Sequence, residues 1–488
     1  MDAAATNLYL CLDQGGHASR AIVFDGYGQM HAQAFCDIDT RRDGIRVEHD
    51  PEELLTSLRR AATEAIAQLG SSSVYLVAAG LATQRSSIMC WERDSGVALA
   101  PVISWQDTRA AQWLEKFADE QARVHSITGL VLSPHYGVSK LRWCLDNLPA
   151  VKNAREQGKL VFGPLASFLA CRLSDQAPLF ADPANASRTL LWDRRTRDWS
   201  PELLQLFSVP RECLPSSVAS KYDWGNLQLD DLRLPLAIVT GDQSAALFAF
   251  GDPNPATVYT NMGTGAFLQR AADSALEDSG RLLASVVYQD EFSSTSVIEA
   301  TVNGAGSAIN EIASELDIDS AELKAGSGGW LENFSGQLLF LNAVSGLGSP
   351  WWRADAQSRF VPLDGGAASA ASSADKIAAV LESIVFLIAT NLTAMTALQG
   401  KPGRLLITGG LGAVDPLLQR LANVSGMPVE RARSTEATAR GLACLLAGVP
   451  DNWPDAKIEQ AFRPQVDAEL MARFARWQEL MPRLPSSE

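Results

Sequence analysis

Little in this 488-residue chain ties it to a metal, a membrane or a nucleic acid. Its seven cysteines (Cys11, Cys36, Cys90, Cys144, Cys171, Cys213, Cys444) are scattered, with no C-x-x-C pair. That usage suits buried, reduced thiols and argues against a disulfide framework or a zinc site. The five histidines, at 17, 31, 49, 125 and 135, form no ligand-spaced cluster. Basic charge is short: 41 Lys and Arg against 56 Asp and Glu leave a net −15. Such a balance argues against a nucleic-acid or anionic-membrane surface, and an anionic ligand would need local donors and a metal. The opening MDAAATNLYL has no basic region followed by a long apolar core, so no signal peptide is expected and the chain is read as cytoplasmic. The longest apolar segment, Ile377 to Met395, is broken by Glu382, Ser383, Thr390, Asn391 and Thr393, and reads as a buried helix rather than a membrane span.

What the chain does have is two glycine hairpins about half a chain apart. Tyr9 to Asp25 (YLCLDQGGHASRAIVFD) alternates apolar and polar residues, breaks at Gly15-Gly16 and turns apolar again through Phe24. The pattern predicts two antiparallel strands with a tight turn, and Asp13 at its edge places a carboxylate beside free backbone N–H groups. That pairing suits a phosphate and its Mg²⁺. Val258 to Leu268 (VYTNMGTGAFL) repeats the idea, so two related halves are expected, divided here at 1–250 and 251–488.

Counted from the first hairpin, the order reads βββαβ, a mixed sheet with crossover helices. Pro51 opens a helix ending near Gly70, Val74 to Ala82 is a strand, and Asn185 to Thr189 is placed in a polar loop. Leu236 to Thr240 is a strand whose GDQ turn puts Asp242 at a helix start, where ligands of α/β sheets are found. An acid there can accept a proton from an attacking hydroxyl; it can equally be a plain N-cap. In the second half, the helix over 375–399 leads to the strand Arg404 to Thr408 and a third glycine turn at 409–412. The tail beyond Pro450 is expected as helix packed on the outside, and the Trp351-Trp352 pair as a packing anchor.

The succession LDQGGHASRA, VEHDP, TQR with the later ISWQD, NASRT, GDQSAALF, MGTGAF, SGLGSPWW and LITGG resembles the FGGY carbohydrate kinases, closest to their glycerol kinases, over about residues 7–450. The resemblance implies an α/β, actin-like fold of two ribonuclease H-like domains with a cleft between them. It implies an ATP- and Mg²⁺-dependent kinase acting on a hydroxyl of a small polyol or sugar, with the acceptor against the first domain and the nucleotide against the second. By position, Asp242 is the general base and Asp13 with Asp242 holds Mg²⁺. The acceptor pocket falls to Arg85, Ser86, Trp105, His135, Tyr136, Asp242, Gln243 and Phe267. The nucleotide falls to Gly15, Gly16, His17, Ser19, Arg20, Gly263, Thr264, Gly265, Gly306, Asn310, Gly409 and Gly410. Homodimers or larger homo-oligomers fit this reading.

Four departures stand out. Gly16 and His17 occupy places where the family has Thr or Ser hydroxyls, Ser86 stands where glycerol kinases have Glu, and His135 stands where they have Tyr, with Tyr136 one residue on. Val414 also replaces an adenine-side Asn, with Asp415 next to it. Two expectations follow. One is a preference for a four- or five-carbon polyol or sugar over glycerol. The other is a rival reading, a nucleotide-binding relative that has lost catalysis and acts as a sensor or regulatory protein.

Overall fold

The strand Leu8–Gln14 is buried along its whole length because it has a neighbour on both sides. On one side the hairpin partner Ala18–Asp25 runs antiparallel and opposes Asp13 to Arg20; on the other, Leu76–Thr83 runs parallel. The computed structural model, which describes residues 7–229, 232–272, 276, 278–433 and 436–485, builds a six-stranded sheet around this centre. Its order is Asn226–Leu229, Leu232–Gly241, Leu76–Thr83, Leu8–Gln14, Ala18–Asp25, Met30–Asp37. The crossover that makes two neighbours parallel is the helix Pro51–Leu69. Asp50 caps it, its carboxylate accepting from the N–H groups of Glu52 and Glu53, and Pro51 costs nothing at a position without an intrahelical donor.

The second half repeats the plan. Its hairpin Thr257–Met262 with Ala266–Ala272 sits centrally in a seven-stranded sheet. Ser294–Val302 adds antiparallel on one side; Arg404–Thr408 and then Val429–Ala432 add parallel on the other. The crossover helix here, Ser373–Gln399, is the one helix among the described residues long and apolar enough to cross a membrane. Its most apolar window is 83% buried inside the protein, which makes it a core helix.

Two expectations are corrected. Residues 185–189 are not a polar loop: Pro183–Ala186 is a helical turn, Ser187–Thr189 a 3₁₀ turn, and all are buried. The tail does not merely lie outside. Ile458–Phe462 is an edge strand of the second sheet, and the helix Ala468–Leu480 sinks Trp477 into the core, where Trp351 meets it at 6.1 Å. Arg473 and Arg420 of the second half both pair with the buried Glu382.

The halves meet through the helix Ala437–Leu446, which belongs to the second half in sequence yet packs on the first sheet. Gly80 leaves room for Leu442, since a Cβ there would lie 2.8 Å from its side chain, and Gly441 lies against the backbone of Ala245.

Candidate active site

Asp13 stands one residue before the end of the central strand of the first sheet, and Asp242 follows the carboxyl end of Leu232–Gly241. The parallel strand between them keeps both acids at one end of the sheet. They face a cavity of about 440 Å³ between the sheets. From the first half come Arg20, Asp242 and Gln243; from the second come Asn261, Phe267, Thr408, Gly409 and Glu436. Arg20 lies 3.4 Å from Asp13 and 3.9 Å from Glu436, so one guanidinium serves a cavity lined by three carboxyls. Burial pushes the Asp13 carboxyl up to about 7, with Asp242 and Glu436 adding to the rise and Arg20 opposing it. Burial also raises Asp242, eased by Arg85 and by the N–H of Gln243.

This surplus of carboxyl groups suits a divalent cation. Among the described residues no group of three or more His, Cys, Asp or Glu is gathered as a protein-only metal cage. Mg²⁺ seldom needs one, since it keeps several waters and takes one or two carboxylates plus phosphate oxygens.

Below the cavity lies a second cluster, joined to it where Arg85 donates to the Gln243 side chain. Arg85 presents both terminal nitrogens to Glu299, at 3.2 and 3.3 Å, and Arg188 also donates to Glu299 and, at 2.9 Å, to Ser285. Burial pushes the Glu299 carboxyl up, but the two guanidinium groups outweigh it and hold it at about 2. Trp105 meets His135 edge-on at 5.5 Å, and His135 meets Tyr136 at 5.0 Å. Burial, with Lys140, Arg188 and Arg85 nearby, keeps His135 well below its ordinary value and therefore neutral. Lys140 is itself buried; its Nζ donates to the carbonyls of Ser86, at 2.8 Å, and His135, at 2.7 Å. It thereby ties together two segments of the expected acceptor pocket. Ser86 needs that hold, because its φ of +66° is a conformation L-residues seldom adopt.

The structure thus brings Asp13, Arg20, Asp242, Gln243, Phe267 and Gly409 to one cavity, and Arg85, Ser86, Trp105, His135 and Tyr136 to the adjoining cluster. Gly15, Gly16 and His17 form the hairpin tip, with His17 exposed. Gly263, Thr264 and Gly265 form the matching tip, backed by the helix Gly306–Glu315, on which Asn310 is exposed; Gly410 is exposed beside Gly409. Ser19 does not fit the phosphate role: its hydroxyl is fully buried, donating to Gln14 at 2.8 Å and lying 2.6 Å from the Ser57 hydroxyl. Asp415 is engaged by Arg431 at 2.6 Å. Sequence reasoning missed Glu299, Arg188 as a buried cation, Lys140 and Glu436. Glu299 alone left a signal, an acid inside the apolar run Val297 to Ala300.

Comparison with known proteins agrees with this arrangement. The FGGY family of carbohydrate kinases matches with its N-terminal domain over residues 8–249 and with its C-terminal domain over 258–449. A glycerol kinase of Alcanivorax borkumensis is 33% identical, covering 97% of this chain and 98% of its own. One from Trichlorobacter lovleyi is 34% identical over 95% and 96%. Among solved structures, Plasmodium falciparum glycerol kinase with ADP superposes with a TM-score of 0.87 at 22% identity, covering 99% of both chains. A xylulose kinase from Rhodospirillum rubrum gives 0.85 at 18% identity, covering 98% of both. The two sheets with their cleft are the actin-like fold of such enzymes. With both domains matched in order and the acids of the first facing the glycine turn of the second, the chain belongs to the FGGY family of carbohydrate kinases and is an ATP-dependent phosphotransferase acting on an alcohol.

Proposed function

We propose that the enzyme transfers the γ-phosphoryl group of Mg-ATP to a hydroxyl of a four- or five-carbon polyol or sugar, in the cytoplasm. The observation that carries this reading is the convergence of Asp13, Asp242 and Gln243 on one cavity closed from the far side by Phe267 and Gly409. The half 1–250 offers the acceptor side and 251–488 the nucleotide side. When bound, Mg-ATP supplies the phosphoryl group and the divalent charge that offsets it. Asp13 and Asp242 are the residues to hold the metal, and the backbone of Gly15, Gly16, Gly263, Thr264, Gly265, Gly306, Gly409 and Gly410, with Arg20, the residues to hold the nucleotide.

Asp242 accepts the proton of the attacking hydroxyl at a carboxylate oxygen. Its elevated affinity for protons helps, because a base works best when its pKa approaches the working pH. Gln243, fixed by Arg85, orients the same hydroxyl. Arg85 and Glu299 keep that part of the wall rigid, and Phe267 and Trp105 offer apolar faces to the carbon chain. Catalysis by this chain is then placement and charge compensation, with no covalent step on the protein. Seven free cysteines suit a reducing compartment.

The choice of acceptor rests on Ser86, a short hydroxyl with no hydrogen-bond partner among the described residues, beside neutral His135. With a hydroxyl rather than a carboxylate at position 86, the wall accepts longer neutral chains and gives up the discrimination that a fixed acceptor there confers. The test is kcat/KM for glycerol, erythritol, ribitol, xylulose and ribulose under one set of conditions, read by ADP release. A four- or five-carbon acceptor is expected to win; glycerol ahead by about tenfold or more defeats the pocket argument.

A further inference from the structure

The tip of the first hairpin has no hydroxyl of its own to offer a phosphate. Between Asp13 and Ser19 the side chains are Gln14, two glycines, His17 and Ala18, and the Ser19 hydroxyl is turned inward to Gln14 and Ser57. His17 is exposed. Immediately behind the tip stands Gln84, the first residue beyond the strand Leu76–Thr83, with its backbone N–H bonded to the Gln14 carbonyl at 2.8 Å. Gln84 is 3% exposed, and neither its Oε1 nor its Nε2 has a hydrogen-bond partner among the described residues. Burying a carboxamide with both ends unpaired is costly, and such a group persists in a fold when something absent from the resting structure completes it.

Its position says what that something is. A Cβ built on Gly16 would stand 3.4 Å from Gln84 Oε1, so the amide lies under the glycine tip, and because neither end is hydrogen-bonded, a half-turn about the last side-chain bond brings Nε2 to the same place. Neither Gly15 nor Gly16 has a positive φ, so the backbone does not demand glycine at either place. On the same hairpin, Asp13 and Arg20 face the cavity. An anion at this tip would meet the Gly16 backbone on one side and the Gln84 amide beneath it.

We propose that Gln84 is a phosphate-contacting residue of the phosphotransfer reaction, its Nε2 donating to an oxygen of the transferred phosphoryl group in place of a hydroxyl on the turn. The inference rests on the kinase reading given above, and goes beyond it in assigning a residue and a donor atom.

The test combines nucleotide binding with turnover in the full-length protein. In Gln84→Ala, affinity for the non-hydrolysable β,γ-imido analogue of ATP, measured by calorimetry with Mg²⁺, should fall about 10- to 100-fold while affinity for ADP stays within about threefold, as expected for losing one hydrogen bond to a charged group. kcat should fall by at least as much. Gln84→Glu, which keeps the volume but turns a carboxylate toward the phosphoryl group, should lose more than Gln84→Ala on both readouts. If Gln84→Ala fails to fold, Gln84→Glu alone decides by the same analogue-to-ADP contrast. Introducing Gly16→Ser into Gln84→Ala should recover at least about half of the lost factor on a logarithmic scale, because it supplies a hydroxyl where the amide stood. Equal losses for the analogue and ADP, or no loss for either, would show an amide served only by buried water and overturn the proposal. A wild type that binds neither nucleotide overturns both this proposal and the kinase reading. A wild type that phosphorylates an acceptor while Gln84→Ala keeps its kcat overturns this proposal alone.

Discussion

The two glycine turns share a place in their sheets but are built for different purposes. At the second turn the packing demands glycine at Gly265, and at Gly306 just behind the tip. A Cβ on Gly265 would stand 2.9 Å from the Val302 carbonyl oxygen, and one on Gly306 would stand 2.7 Å from that of Gly263. The carbonyls of Gly263 and Thr264 are already taken by the N–H groups of Ala305, Gly306 and Ser307 at 2.9–3.2 Å, so this tip is locked to the start of a helix. At the first turn neither glycine meets anything closer than 3.4 Å, and the acids gather beside it instead. Glycine in the second half makes room for the protein's own backbone. In the first half it leaves room for something else.

The largest effect should come from the acids of the first half. Asp242→Asn is expected to lower kcat by about 10²–10⁴, the usual cost of removing a positioned base. Retention of most of the wild-type rate would move the chemistry elsewhere in the cavity. Next in size is Glu299, the second-half carboxylate that holds two first-half arginines. Glu299→Ala strands both guanidinium groups in the interior and should cost about 3–5 kcal/mol in chemical denaturation. A loss below about 1 kcal/mol would mean that the buried cluster is already hydrated.

The comparison of turns sharpens through a pair of substitutions. Gly306→Ala should destabilise by about 1–3 kcal/mol through overpacking against Gly263, whereas Gly16→Ala should change stability by no more than about 0.5 kcal/mol. Equal melting shifts would erase the distinction. The smallest effect concerns pH. Asp182 is fully buried in the first half, and burial outweighs its bonds from Asn185 to push its carboxyl up to about 7. The folded protein therefore holds that proton more tightly than the unfolded chain, and this contribution, present below about pH 4, is lost as pH rises toward 7. Glu299, held at about 2, has the opposite sign: its contribution is present above about pH 4.5 and lost as pH falls. Melts of wild type and Asp182→Asn between pH 4 and 8 should show the variant gaining on wild type up to about pH 7 and then running parallel. A constant difference would place the Asp182 carboxylate outside the low-dielectric interior.

Most of the fold was legible because its signals are local. The glycine hairpins, Asp50-Pro51 before a helix and the strand leading into Gly241-Asp242 each declare themselves within a dozen residues, and the order of motifs then implied the actin-like plan. The buried ionic groups were not legible. Arg188 looked like part of a polar loop, and nothing in the sequence singled out Lys140, because charged residues usually face water. What buries Arg188 is Glu299, more than a hundred residues away, and what uses Lys140 is a pair of backbone carbonyls that no side-chain pattern reveals. The tail misled for the same reason: its arginines suggested a surface, but two of its neighbours are the buried Glu382 and the aromatic contact of Trp477 with Phe386.

The helix Ala437–Leu446 has a consequence for how the chain is made. It covers strands of the first sheet that leave the ribosome roughly 350 residues earlier, which at about 5–20 residues per second is on the order of 20–70 s of synthesis. During that interval the apolar face around Cys11, Ile22 and Ala82 lacks the cover of Ala439, Leu442, Ala443 and Leu445. A nascent first half on its own therefore presents a sticky surface, and chain fragments ending before residue 437 should bind chaperones or aggregate where the whole chain does not.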